Sequence, residues 1–245
     1  VYVFELQQGG GHLKGWKLTD AQMDAVAEAL VGLCADEVME KKYGMSGVAP
    51  LLFAVGDGNH SLATAKACYE ERKAANPSQD LSGHPARYAL VELCDLHDES
   101  LQFEPIHRVL FNVDPKQLLA DLTAAFPGAH EGEGEGHVLK YITRDGEGAI
   151  TVPNPTAQLA VGPLQGFLDQ WMTANKKAGI DYIHGEDSLK ALASKDNTIG
   201  FIFDGMEKSE LFKTVIFDGA LPRKTFSMGH AQDKRYYLEC RKITN

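Results

Sequence analysis

A chain of 245 residues, 44% of them hydrophobic, is long enough to bury a substantial core, and no apolar run in it is long enough to cross a bilayer. Its formal net charge of -10 repels polyanions at long range, which argues against nucleic acid or an anionic membrane as partner and leaves a small-molecule substrate, with local positive patches for phosphate. Cys34, Cys68, Cys94 and Cys240 lie far apart, without the close pairs of a zinc knuckle or redox motif, and are expected to be buried thiols of a cytoplasmic protein.

VYVFEL (1–6) opens the chain as a strand, without an initiator Met or signal peptide, so an upstream part is expected to be missing. HLKGWKL (12–18) reads as its hairpin partner across Gly9, Gly10 and Gly11. Met23, Val26, Leu30 and Leu33 then share one face of a helix with Asp20 as cap. LLFAV (51–55) is expected as a short buried strand and Leu62 to Lys73 as a second helix. RYALVELCDL (87–96) and IHRVLFNV (106–113) read as strands, and Asp114 caps a helix through Phe126.

GAHEGEGEGH (128–137) reads as a flexible acidic loop and a soft seam, followed by a hairpin of HVLKYIT and GAITV. The last third alternates helix (162–179), strand IDYIH (180–184), helix EDSLKALA (186–193), strand (198–205) and helix (206–219). A basic loop, LPRKTFS (221–227), precedes a closing strand, RYYLECRKI (235–243). Hairpins mixed with helices give an α+β class, a mixed sheet with flanking helices. The expected division is an α+β region of residues 1–126 that holds the GDGNHS loop and an α/β-like region from 127 to 245 packed against it, with a single domain spanning both as the alternative.

The chemistry-bearing stretch is GDGNHS (56–61), between an apolar segment and a helix. Gly56 and Gly58 permit a sharp bend, and the helix that follows starts with unpaired N–H groups and a positive dipole end, which attract phosphate. His60 adds a charge-assisted donor when protonated, Asn59 and Ser61 neutral donors, and Asp57 a metal ligand or hydroxyl-orienting group. The same residue types also serve as ordinary turn and cap residues. Further polar groups cluster in HPARYALVE (His84, Arg87), FEPIHRVLF (Glu104, His107, Arg108), DYIHGED (His184, Glu186, Asp187) and LPRKTFSMGH (Arg223, Lys224, Thr225, Ser227, His230). Surface ion pairs and helix caps account for each as readily as a site does.

Taken in order, GDGNHSLATAK, HPARYALVE, FEPIHRVLF, DYIHGED and LPRKTFSMG resemble the domain of unknown function 1015 family over nearly the whole chain. The first motif is also similar to the DGHHR signature of a wider group of ParB-type proteins, sulfiredoxins and free serine kinases, so a fold that is ParB/sulfiredoxin-like in part is implied. Asp57, Gly58 and His60 match that signature; Asn59 stands for its first histidine and Ser61 for its arginine, leaving Arg87, Arg108 or Lys224 to replace the lost phosphate donor. The resemblance implies ATP or ADP with Mg2+ as cofactor and phosphoryl transfer to a small metabolite, in the manner of a serine kinase. In that scheme Asp57, His60, Glu104 and His107 are catalytic, and Gly56, Gly58, Asn59, Ser61, Arg87, Arg108, Lys224 and Ser227 bind the nucleotide. A non-catalytic nucleotide or anionic-metabolite sensor and a metal-dependent phosphatase are the alternatives.

Overall fold

The structure is a computed structural model describing residues 1–47, 49–228 and 238–244. The chain divides into two compact units, one made of Val1–Asp95 with His230–Asn245, the other of Leu96–Gly229. The division thus falls at Asp95, not at the seam expected after Phe126, and the strand and helix preceding that loop belong to the second unit.

In the first unit β1 (Tyr2–Glu5) and β2 (His12–Gly15) pair antiparallel across a 3-10 turn at Gln7–Gly9, as the glycine run implies. Helix α1 (Asp20–Gly32) starts at the residue expected to cap it, and Thr19 is the N-cap, its Oγ1 accepting from the Gln22 N–H at 3.3 Å while Gln22 Oε1 accepts from the Thr19 N–H at 2.9 Å. This reciprocal pairing is a capping box. Helices α2 (Asp36–Tyr43) and α3 (Asn59–Ala75) follow. The strand expected at 51–55 is not formed, nor is the one at 87–96, and Phe53, Val55, Leu90, Val91 and Leu93 are exposed. Cys68, Cys94 and Cys240 are exposed and Cys34 half-buried, so the expectation of buried thiols is corrected. Met39 is the one buried hydrophobic residue among the described residues of this unit.

In the second unit a seven-stranded sheet runs in the order β4 (His130–Glu131), β6 (Gly146–Val152), β5 (His137–Thr143), β8 (Thr198–Ile202), β3 (Phe103–Phe111), β7 (Gly179–His184), with β9 (Phe226–Met228) also pairing β3. All pairings among the described residues are antiparallel. Side chains alternate across the pleat. Leu110, Leu139, Ile150, Ile199 and Phe201 therefore reach one face, where α4 (Pro115–Ala125) contributes Leu118 and Leu122 and α5 (Val161–Ala174) contributes Leu164 and Leu168. Each of these nine side chains is fully buried. Asp114 caps α4 as expected, accepting from the Lys116 N–H at 3.0 Å, and Asp121 accepts from Trp171 Nε1 at 2.8 Å to join α4 to α5. Helix α6 (Glu186–Ala193) covers the opposite face, its Leu189 seated over Gly200. Helix α7 (Lys208–Asp218) completes the unit, and the α+β class expected from the sequence is the one observed.

His230 and residues 235–237 of the expected closing strand lie outside the described residues, and 238–243 form no strand. No helix among the described residues is long and apolar enough to cross a membrane.

Candidate functional site

The GDGNHS turn lies in the first unit, exposed along its length. Gly58 takes the left-handed conformation (φ 79°) as N-cap of α3, and being glycine it offers no side chain to cap the helix. Asp57 Oδ1 accepts from the Gly58 N–H at 2.8 Å, which tightens the bend one residue before the helix begins. No acidic residue sits in the first turn of α3, so the amide groups of Asn59, His60 and Ser61 and the positive end of a 17-residue helix face outward without a carboxylate among them. Chemically this is an anion-receptive helix start.

Arg87, expected as a phosphate donor, sits elsewhere in the same unit. It ends a 3-10 turn, donates to the Ser82 carbonyl at 2.9 Å and stacks on Tyr88. It lines a groove with Tyr69, Glu70 and Lys73, which lie about 13 to 20 Å along α3 from His60 at 1.5 Å per residue. The structure therefore places Arg87 away from the glycine turn.

The remaining expected residues, Glu104, His107, Arg108, Lys224 and Ser227, are in the second unit. Glu104 pairs with Ser227 across β3 and β9. His107 and Arg108 are adjacent on β3 and so face opposite sides of the sheet. Arg108 is fully buried and donates to Gln165 Oε1 (3.2 Å) and to the carbonyls of Ile106 (2.5 Å), Lys224 (2.8 Å) and Arg223 (2.8 Å). Burial pulls its guanidinium well below the usual arginine range, to about 10, and it stays charged at neutral pH. Its donors go to protein oxygens, so the expected role as a phosphate clamp gives way to a structural one. It holds the turn at 223–224 against β3 and α5.

That turn is anchored a second time. Arg223 donates to Tyr182 Oη at 2.6 Å and to Asp169 Oδ1 at 2.5 Å, and the same Asp169 oxygen accepts from Gln165 Nε2 at 2.8 Å. The ring of Tyr182 lies 5.0 Å from the Arg108 guanidinium and 5.9 Å from that of Arg223. Lys224, whose carbonyl Arg108 holds, has φ 56°, a left-handed conformation that costs a residue with a Cβ roughly 1–2 kcal/mol. Gln165, Asp169 and Tyr182 were not anticipated. The available signal was the polar pair Gln165 and Asp169, four residues apart and so on one face of the helix.

His107, on the α6 side, is buried, and its Nδ1 accepts from the Phe203 N–H at 3.2 Å, which puts the ring proton on Nε2. Burial lowers its pKa, with Arg108 and His184 adding to the effect and Glu186 and Asp204 opposing it. The unfolded chain thus takes up this proton first, so the stability His107 supplies is complete above about pH 6.5 and is lost as the pH falls below that. His107→Asn keeps an acceptor but removes the titration. Urea midpoints of this variant are expected to fall less than those of the parent between pH 7 and 5; parallel slopes would assign the acid sensitivity to other groups.

Two comparisons bear on this arrangement. A family model described as "Protein of unknown function (DUF1015)" matches residues 1–242. The chain belongs to the DUF1015 family. No curated protein matches it. Among solved structures this DUF1015 chain is similar to a single-site mutant of free serine kinase in complex with ADP, at TM-score 0.52 and 14% identity over 87% of this chain and 82% of that one. Free serine kinase in complex with AMP matches at TM-score 0.51 and 14% identity, over 87% and 81%. A conserved hypothetical protein from Pyrococcus furiosus matches at TM-score 0.49 and 16% identity, over 88% and 85%. At such identities the likeness is one of fold.

Proposed function

We propose that the chain binds an adenine nucleotide by its phosphates at the start of α3 and transfers a phosphoryl group to a small metabolite in the cytoplasm. The observation that carries the reading is the outward-facing, uncapped first turn of α3 behind left-handed Gly58. The fold likeness to a kinase solved with ADP and with AMP supports it. In this reading the amides of Asn59, His60 and Ser61 hold phosphate oxygens, and the His60 imidazole adds a donor. Gly56 and Gly58 shape the bend.

Asp57 stands at the entry, where its charge repels a bare phosphate. Among the described residues no three His, Cys, Asp or Glu side chains gather closely enough to hold a metal alone. A Mg2+ carried by the nucleotide asks for less, since one carboxylate and phosphate oxygens suffice, and Asp57 fits that part. Such an ion supplies charge neutralisation on the phosphates. Taken by itself, the second unit offers Lys224 as a candidate cation for a phosphate, with Glu104 and Ser227 the polar pair on the adjoining strands.

ADP with magnesium is expected to raise the melting temperature by a few degrees, and His60→Ala to weaken binding about tenfold, or about 1.4 kcal/mol. A melting curve unmoved by ADP or ATP at millimolar concentration would overturn the reading. Transfer of labelled phosphate to serine or another hydroxyl metabolite tests the catalytic half. The burial of His107 and the commitment of Arg108 to protein oxygens favour a second reading, a nucleotide or anionic-metabolite sensor, which predicts binding without turnover.

A further inference from the structure

The turn at 222–225 is a basic segment of the second unit whose backbone is held by a buried charge. The Arg108 guanidinium donates to the carbonyls of two successive residues, Arg223 and Lys224, at 2.8 Å each. Thr225 Oγ1 donates to the Pro222 carbonyl at 2.7 Å and closes the turn from the other side. The two basic side chains then part ways. Arg223 is tied down by Tyr182 and Asp169. Lys224 is exposed, and no ion pair engages its ammonium among the described residues.

We propose that Arg108 is a positioning residue: a buried fork that presets the left-handed turn at Lys224, so that the Lys224 ammonium is presented as an anion ligand while Arg108 itself never touches the anion. A lysine in this strand position has one donor centre and cannot span two carbonyls and a glutamine side chain, whereas the planar fork can. The left-handed conformation disfavours lysine and suits glycine, so the need for Arg108 depends on which residue stands at 224. The inference rests on the reading of Lys224 as a phosphate cation for its ligand half only; the presetting of the turn stands on the hydrogen bonds.

The test has two arms. In the first, native protein is digested with trypsin, and cleavage after Arg223 and Lys224 is followed by mass spectrometry. Arg108→Lys is expected to accelerate cleavage there about tenfold, the equivalent of about 1.4 kcal/mol of local opening. Adding Lys224→Gly to Arg108→Lys is expected to return cleavage after Arg223 towards the parent rate, because glycine holds the turn unaided. An unchanged rate in Arg108→Lys, or no recovery in the double variant, overturns the positioning role. Should Arg108→Lys fail to fold, Gln165→Ala, which removes one of the contacts that orients the fork, takes its place and is expected to accelerate the same cleavage severalfold.

The second arm measures inorganic pyrophosphate binding by calorimetry. Arg108→Lys and Lys224→Ala are each expected to weaken it about tenfold, and the double variant to bind no more weakly than Lys224→Ala alone. Additive losses overturn the claim that Arg108 acts through Lys224. If the parent chain does not bind pyrophosphate, Lys224 is no phosphate ligand and that half falls, while the cleavage arm decides the other by itself.

Discussion

Gly136→Ala is expected to destabilise the second unit by roughly 3 kcal/mol or more, lowering its melting temperature by about 10 °C. A Cβ at Gly136 would meet the Val152 carbonyl oxygen at 2.2 Å and Pro153 Cα at 2.7 Å, and the residue already has φ 124°. Backbone atoms cannot swing aside as a side chain can, so the only relief is to part β5 from the end of β6. Gly132→Ala is the control. Its φ is 89°, but a Cβ there meets nothing within 4 Å, so only the backbone strain of roughly 1–2 kcal/mol remains. Equal losses in the two variants, measured by urea unfolding, would show that contact with Val152 is not what makes Gly136 necessary.

Amide hydrogen exchange should separate the two units by roughly 1,000-fold in protection, equivalent to about 4 kcal/mol of opening free energy. The strands β3, β5, β6 and β8 carry fully buried Leu110, Leu139, Ile150 and Phe201 and exchange by opening a packed core. Helices α1 and α3 have no buried residue, and α2 has Met39 alone. A helix without an interface keeps its hydrogen bonds only by local propensity and capping, which is marginal at these lengths. Ladders in β5 and β6 exchanging as fast as α1 would contradict this assignment of the core.

The contrast also explains which parts of the fold were legible in the sequence. IHRVLF and HVLKYIT alternate or run apolar and have partners on both edges, so pattern and pairing agree. LLFAV and RYALVELC carry the same residue types but form no strand, because β-propensity expresses fit to a half-buried pleated surface and not a preference of the isolated backbone. EDSLKALA forms α6 at the expected residues, since its apolar positions meet β8. EGEGEGH looked loose by composition, yet Gly136 is packed hard against β6.

The candidate site was legible in part for similar reasons. A glycine turn before a helix shows in the sequence because both devices are local. The fate of Arg108 does not, because it is decided by the carbonyls of residues more than a hundred positions away. A hint was present: Ile106, Arg108 and Leu110 share one face of a strand, which places a guanidinium between two core aliphatics.

The first unit is assembled from both ends of the chain, and it depends on both. Tyr2 donates to Glu239 at 2.9 Å, and Arg241 donates to the carbonyls of Pro85 and Tyr88 at 2.8 Å each. The second unit is one uninterrupted stretch between them. During synthesis every residue of the second unit is joined before Glu239 and Arg241 are, so the second unit can mature first, and the segment 1–95 closes only after the residues that follow the second unit have been added.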